Sequence, residues 1–167
     1  MALVAEHALE TLQATAQHAD GGANWFPGIN PQRPAHWLPS VQDRHGAPEI
    51  VFRLASNART NEWNALLLQA GELTWRAGPL SKGASLCHGT AGSSLAMLKL
   101  WRRSGKPVWL DRARACALAM HACAQVERHR VDHCQGSHSL WTGDLGLARL
   151  LCNCVGCTDA LPTLDVF

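Results

Sequence analysis

Charge is scarce in this chain. Only 17% of its residues are charged, and they balance to a formal +2. So small a surplus excludes a surface built to grip nucleic acid or an anionic membrane. No run of about eighteen apolar residues occurs, so no segment reads as a membrane-spanning helix. The opening Met1-Ala2-Leu3-Val4-Ala5-Glu6-His7 has neither a basic leader nor an unbroken apolar stretch, and does not read as a secretory signal. Apolar–polar alternation of useful length is missing, which argues against a sheet-based fold. The common catalytic fingerprints are missing as well: no G-x-S-x-G, no P-loop, no H-E-x-x-H and no dinucleotide-binding glycine pattern.

What the chain does have is a globular composition, 47% apolar over 167 residues, enough for one domain with a core. It has seven cysteines, at 87, 116, 123, 134, 152, 154 and 157. An odd, loosely spaced set is not a disulfide framework, and the expectation is a reducing, cytoplasmic location. Cys116 and Cys123 lie in a helical stretch and read as small core residues.

In chain order, Ala2 to Ala19 reads as a helix, with Ala5, Leu9, Leu12 and Ala16 on one stripe, ended by Asp20-Gly21-Gly22. Residues 20–43 read as a long Pro/Trp loop, pinned by Trp25 and Trp37, because proline removes donors and fixes φ. A short helix follows through Ile50, Val51, Leu54 and Ala55. Asn61 to Ala77 is a second, with Trp63, Leu66, Ala70 and Leu73 on one face and Gly78-Pro79 as its stop. An apolar helix runs from about Leu95 to Ser104-Gly105, and Pro107 opens another with the stripe Leu110, Ala113, Ala117, Met120, Ala124. A polar link from Glu127 to His138 carries His129, His133, Cys134 and His138. A last helix opens at Thr142-Gly143-Asp144-Leu145-Gly146 and runs through Leu150 and Leu151, and the tail from Thr158 to Phe167 reads as extended.

A repeat lies in this pattern. His45-Gly46-Ala47-Pro48, His88-Gly89-Thr90-Ala91-Gly92 and Thr142-Gly143-Asp144-Leu145-Gly146 each precede an apolar helix, at separations of about fifty residues, within the range of helical-pair arrays. In each unit one helix is apolar nearly all round and the next carries a single stripe, so the first kind belongs inside and the second outside. The fold class is all-α, with the Gly-rich turns gathered at one end of an inner ring.

The chemistry-bearing stretch is Ser85-Leu86-Cys87-His88-Gly89-Thr90-Ala91-Gly92. A thiolate and an imidazole are both zinc ligands, and a helix starting directly behind them turns its positive dipole end toward the sulfur. Cys87 and His88 are two ligands only, whereas catalytic zinc takes three from protein. The equivalent earlier turn offers His45, but also Arg44, whose charge is unfavourable beside a cation. Cys152-Asn153-Cys154 with Cys157 is a C-x-C-x-x-C cluster, open to a metal or a redox role.

Leu86-Cys87-His88-Gly89-Thr90-Ala91-Gly92, with Leu98-Lys99-Leu100 behind it, resembles the lanthionine synthetase C-like family. Ser139 to Gly146, Leu161-Pro162 to Asp165, and Val41 to Val51 resemble its flanking repeats, in the right order. The resemblance implies an α/α toroid of inner and outer helices around a zinc ion. That zinc activates a thiol for addition to a dehydrated Ser or Thr, which makes a thioether. The family's zinc is held by one Cys of the earlier motif and the Cys-His pair of the later one, which maps to Cys87 and His88. The implied partners are a peptide substrate or a small thiol such as glutathione. The earlier zinc Cys falls on Arg44, the Trp before it on Asp43, the closing Gly of that motif on Glu49 and a later Asn on Ser93. The resemblance covers the C-terminal part of the family's domain and leaves its catalytic His in an earlier repeat. The expectation for residues 1–167 is therefore a partial toroid of impaired or no activity, with an incomplete zinc site that another chain would complete. The alternative is a non-catalytic peptide-binding module or a remnant.

Overall fold

The computed structural model describes residues 2–26, 41, 45–58, 60–78, 83–128 and 138–161. Six helices carry the described fold: α1 (Ala2–Ala14), α2 (Ala47–Leu54), α3 (Asn61–Arg76), α4 (Thr90–Ser104), α5 (Pro107–Arg128) and α6 (Asp144–Gly156). A hairpin of β1 (Gln17–Ala19) and β2 (Gly22–Asn24) lies between α1 and α2. The all-α class holds, and no described helix is long and apolar enough to cross a membrane.

The core forms around α4. Every residue from Thr90 to Leu100 is buried, because α4 is covered by α2, α3, α5 and α6. The helices that follow the Gly-rich turns, α2, α4 and α6, are thus neighbours, and α3 and α5 pack against them. Of the three, only α4 is buried all round. α6 exposes Leu145 and Val155, at 49% and 83%, because its described neighbours are α4 and α5. The stripes of the other two helices face inward as expected: Trp63, Leu66 and Ala70 of α3, and Leu110, Ala113, Ala117 and Met120 of α5, are buried. Gly71 of α3 lets Leu100 and Trp109 close in; a Cβ there would stand 2.8 Å from the Trp109 ring.

The helix ends are fixed locally. Thr60 caps α3 by accepting the Trp63 N–H at 3.3 Å, and α4 stops at Gly105 in the left-handed region with φ 67°. Arg103, near that stop, donates to the carbonyls of Ala55 and Ala58 and to Asn64 Oδ1, tying α4 to the α2–α3 turn. On the outer side, the Arg112 guanidinium of α5 meets Glu72 of α3 at 2.7 Å and lies 4.7 Å from the Trp109 ring centre.

Three expectations need correction. The first helix ends at Ala14, not Ala19. Asp20 and Gly21 both have positive φ, 50° and 72°, which makes Asp-Gly a tight hairpin turn that pairs Gln17 with Asn24 and Ala19 with Gly22. Residues 20–24 therefore belong to a hairpin rather than to the Pro/Trp loop. Trp25 is buried and donates to the Leu12 carbonyl at 2.7 Å; Trp37 and most of that loop lie outside the described residues. Cys123 is exposed, unlike Cys116, because α5 has 22 residues against 15 in α4. The two are joined only by Gly105 and Lys106, so the far end of α5 outruns its partner. The tail through Leu161 has no regular structure, and residues 162–167 lie outside the description.

Candidate thiol–imidazole site

Cys87 and His88 sit on the turn leading into α4, three and two residues before its first residue. The turn is held from two sides. The Cys87 N–H donates to the Trp141 carbonyl at 2.8 Å, and the Thr90 N–H to the Gly83 carbonyl at 3.2 Å. The turn before α4 is therefore bonded directly to the turn before α6. Glycine is required in the first turn and in the opening residues of α6. A Cβ on Gly89 would lie 2.5 Å from the Gly83 oxygen and 2.6 Å from the Ser85 oxygen. A Cβ on Gly146 would lie 2.7 Å from the Leu140 oxygen and 2.8 Å from Leu86 Cγ. Backbone meeting backbone leaves no room to relax.

All three helices that follow these turns have glycine at the N-cap, Gly46, Gly89 and Gly143, and none has a side-chain cap bond. Behind the turn, Ser93 is 4% exposed and its Oγ has no partner among the described residues. Ser94 is satisfied by the Thr90 carbonyl at 2.8 Å.

The Cys87 Sγ and His88 Nε2 atoms are 3.9 Å apart. Tetrahedral zinc with bonds of about 2.3 Å to sulfur and 2.0 Å to nitrogen sets its two donors about 3.6 Å apart. The pair fits two adjacent ligands. Cys87 is 9% exposed and His88 half-buried. A third donor is not gathered there: among the described residues no three His, Cys, Asp or Glu side chains converge on a metal position. Arg44 and Asp43 lie outside the described residues. His45 is half-buried at the start of α2.

The other candidates disperse. His129, His133 and Cys134 lie outside the described residues, and His138 is exposed. Cys152 and Cys157 are exposed and Cys154 is buried. Burial pushes the Cys154 thiol up to about 11, partly offset by the Arg114 guanidinium. Burial also raises the Cys116 thiol, which accepts help from Ser94 in the opposite sense.

Two contributors escaped the sequence reading. One is the Trp141 carbonyl: its motif stood out, but main-chain pairing between distant turns has no residue signature. The other is the segment after α6. Lys99, 3% exposed in the middle of α4, meets Asp159 at 3.3 Å and lies 5.4 Å from the Phe52 ring centre. Asn153 and Arg149 donate to the Ala160 carbonyl at 3.1 and 2.7 Å, and Leu161 is buried. A lysine inside an apolar helix was the available signal, since such a charge needs a partner. A polar hollow of about 270 Å³, lined by Ala55, Asn64, Arg102 and Arg103, lies at the other end of α4 from Cys87.

Comparison with known proteins identifies the family. The family model for lanthionine synthetase C-like protein matches residues 6–165. A glutathione S-transferase LANCL1 of Danio rerio is 30% identical over 133 residues, covering 77% of this chain and 31% of its own length. A LanC-like protein GCL1 of Arabidopsis thaliana is 35% identical over 81 residues, covering 46% of this chain and 18% of its own length. The chain therefore spans about a third or less of the length of these relatives.

Proposed function

Because the chain belongs to the lanthionine synthetase C-like family, we propose that it carries part of a site for adding a thiol to a dehydroamino acid in a peptide, with Cys87 and His88 as two zinc donors. The observation that carries this is the 3.9 Å approach of thiol and imidazole at the head of a buried helix. When bound, zinc would supply a cation that holds a substrate thiol as its thiolate. This chain's residues do the positioning. The Trp141 carbonyl fixes the backbone of Cys87. Gly89 keeps the turn tight enough for sulfur and ring to share one side. His88 must present a neutral nitrogen and Cys87 an ionised sulfur. In the reaction a sulfur–carbon bond forms at the β-carbon, the alkene electron pair moves to the α-carbon, and a proton from solvent completes the thioether. Glutathione is the thiol proposed, given the activity in the name of the zebrafish relative.

With two donors gathered among the described residues, zinc binding by this chain alone is proposed to be weak, and activity impaired unless another chain supplies a further ligand. The test is metal content after purification with zinc, compared with Cys87→Ala and His88→Ala, followed by mass spectrometry of a dehydroalanine peptide incubated with glutathione. Zinc lost in both variants supports the site. Zinc retained equally in all three overturns it. The second reading is a peptide-binding module without catalysis. It is favoured by Arg44 standing where the resemblance places a zinc cysteine, and it predicts peptide binding that zinc chelation does not alter.

A further inference from the structure

The C-x-C-x-x-C cluster has no part in the site at Cys87, and its geometry points elsewhere. Cys154 lies in the last turn of α6, buried at 5% exposure. Cys157 is the residue that ends the helix, exposed, in the left-handed region at φ 49°. Arg114 reaches across from α5: its Nη2 is 3.1 Å from the Cys154 carbonyl and 3.3 Å from the Cys157 sulfur. One guanidinium thus caps the end of α6 and touches the outer thiol. Helix geometry sets Cα atoms three residues apart at about 5 Å, inside the window of about 4.4 to 6.8 Å that a disulfide spans. The intervening Gly156 carries no side chain and is exposed, so the last turn can tighten to bring the sulfurs together.

We infer that Cys154 and Cys157 form a dithiol–disulfide couple, in which Cys157 exchanges with a small-molecule disulfide and Cys154 closes the intramolecular bond. The first step forms a bond from the Cys157 thiolate to one sulfur of the small disulfide and releases the other as a thiolate. In the second, the Cys154 sulfur attacks the Cys157 sulfur, its proton passes to the departing thiolate, and the second small thiol leaves. The net change is oxidation of two protein thiols and reduction of one small disulfide to two thiols. Accessibility and burial set the order: Cys157 meets solvent, whereas Cys154 is buried and held protonated. Cys152, one turn from neither partner's position and exposed on the α6 surface, takes no part. Closure converts the thiol that Arg114 contacts into a disulfide sulfur, so the redox state is felt at the seam between α5 and α6.

The experiment treats the folded chain, in a Cys152→Ser background, with glutathione disulfide and follows it by intact and peptide mass spectrometry. The expected product has lost two hydrogens, keeps no glutathione, and joins Cys154 to Cys157. Cys154→Ser should stop at a glutathione mixed disulfide on Cys157. Cys157→Ser, a change at an exposed site, should give neither product at this end of α6. Arg114→Gln should slow the first step about tenfold through loss of the hydrogen bond to the charged sulfur, with alkylation of the exposed Cys123 unchanged. A stable mixed disulfide on Cys157 with Cys154 intact overturns the inference, as does a bond joining Cys154 to Cys116.

Discussion

Helices α4 and α1 are similar in length, 15 and 13 residues, and opposite in circumstance. α4 contains Ser93, Ser94 and Lys99 and is nonetheless buried throughout its first eleven residues. α1 carries Leu3 and Val4 and leaves them 79% and 73% exposed. Hydrophobicity of the segment does not decide burial here; the number of neighbours does. α4 has helices around it, and two of its polar groups are answered individually: Ser94 by a carbonyl in the preceding turn of its own helix, Lys99 by Asp159. α1 is held mainly at its far end, where Leu9 and Leu12 are partly buried and the Leu12 carbonyl takes the Trp25 ring N–H.

That contrast can be broken most directly at the head of α4. Gly89→Ala forces a methyl group against the backbone of Gly83 and Ser85 and should cost about 3 kcal/mol, read as a fall in the urea midpoint. A loss below about 0.5 kcal/mol would mean the turn is looser than its packing indicates. Next is Asp159→Asn, which leaves Lys99 buried with a weaker partner. Removing one member of a buried pair costs about 3 kcal/mol or more; with Asp159 20% exposed and Arg102 also within 3.7 Å of it, about 2 kcal/mol is expected. The same measurement on Lys99→Met should show a smaller loss, since no charge is then left inside.

Alkali probes the other flank of α4, where Cys116 and Cys154 are buried. A thiol whose folded pKa stands above its ordinary value binds its proton more tightly in the native state. Its stabilisation is complete below the ordinary value of 9.0 and is lost as pH rises through about 11. The urea midpoint should therefore drop between pH about 9 and about 11, and Cys154→Ala should drop less over that interval. The smallest effect is expected on α1: Leu3→Ser should change stability by no more than about 0.5 kcal/mol. A larger loss by thermal melting would show that α1 is packed more firmly than its exposure implies.

Much of the fold was legible because local rules dominated where the elements begin and end. Pro107 opens α5 and Gly105 ends α4, both as their chemistry dictates. The inward stripes of α3 and α5 follow from their spacing. The first helix was read too long because Ala16 continues its stripe, whereas the Asp20-Gly21 turn and the pairing of β1 with β2 offer the backbone a better set of partners. At the site, adjacency in the chain made Cys87 and His88 a visible pair. The hold exerted by Trp141 was not visible, because it depends on a turn more than fifty residues away.

The residues alone determined the class of fold, the inward stripes of α3 and α5, and the identity of the sulfur and imidazole that precede α4, since periodicity and immediate neighbours specify these. Tertiary structure decided which helix is enclosed, that two Gly-rich turns share a main-chain bond, that Lys99 finds Asp159, and that one arginine touches both the end of α6 and its outermost thiol. Those are contacts between parts of the chain far apart in order, and a linear pattern carries no distance between them.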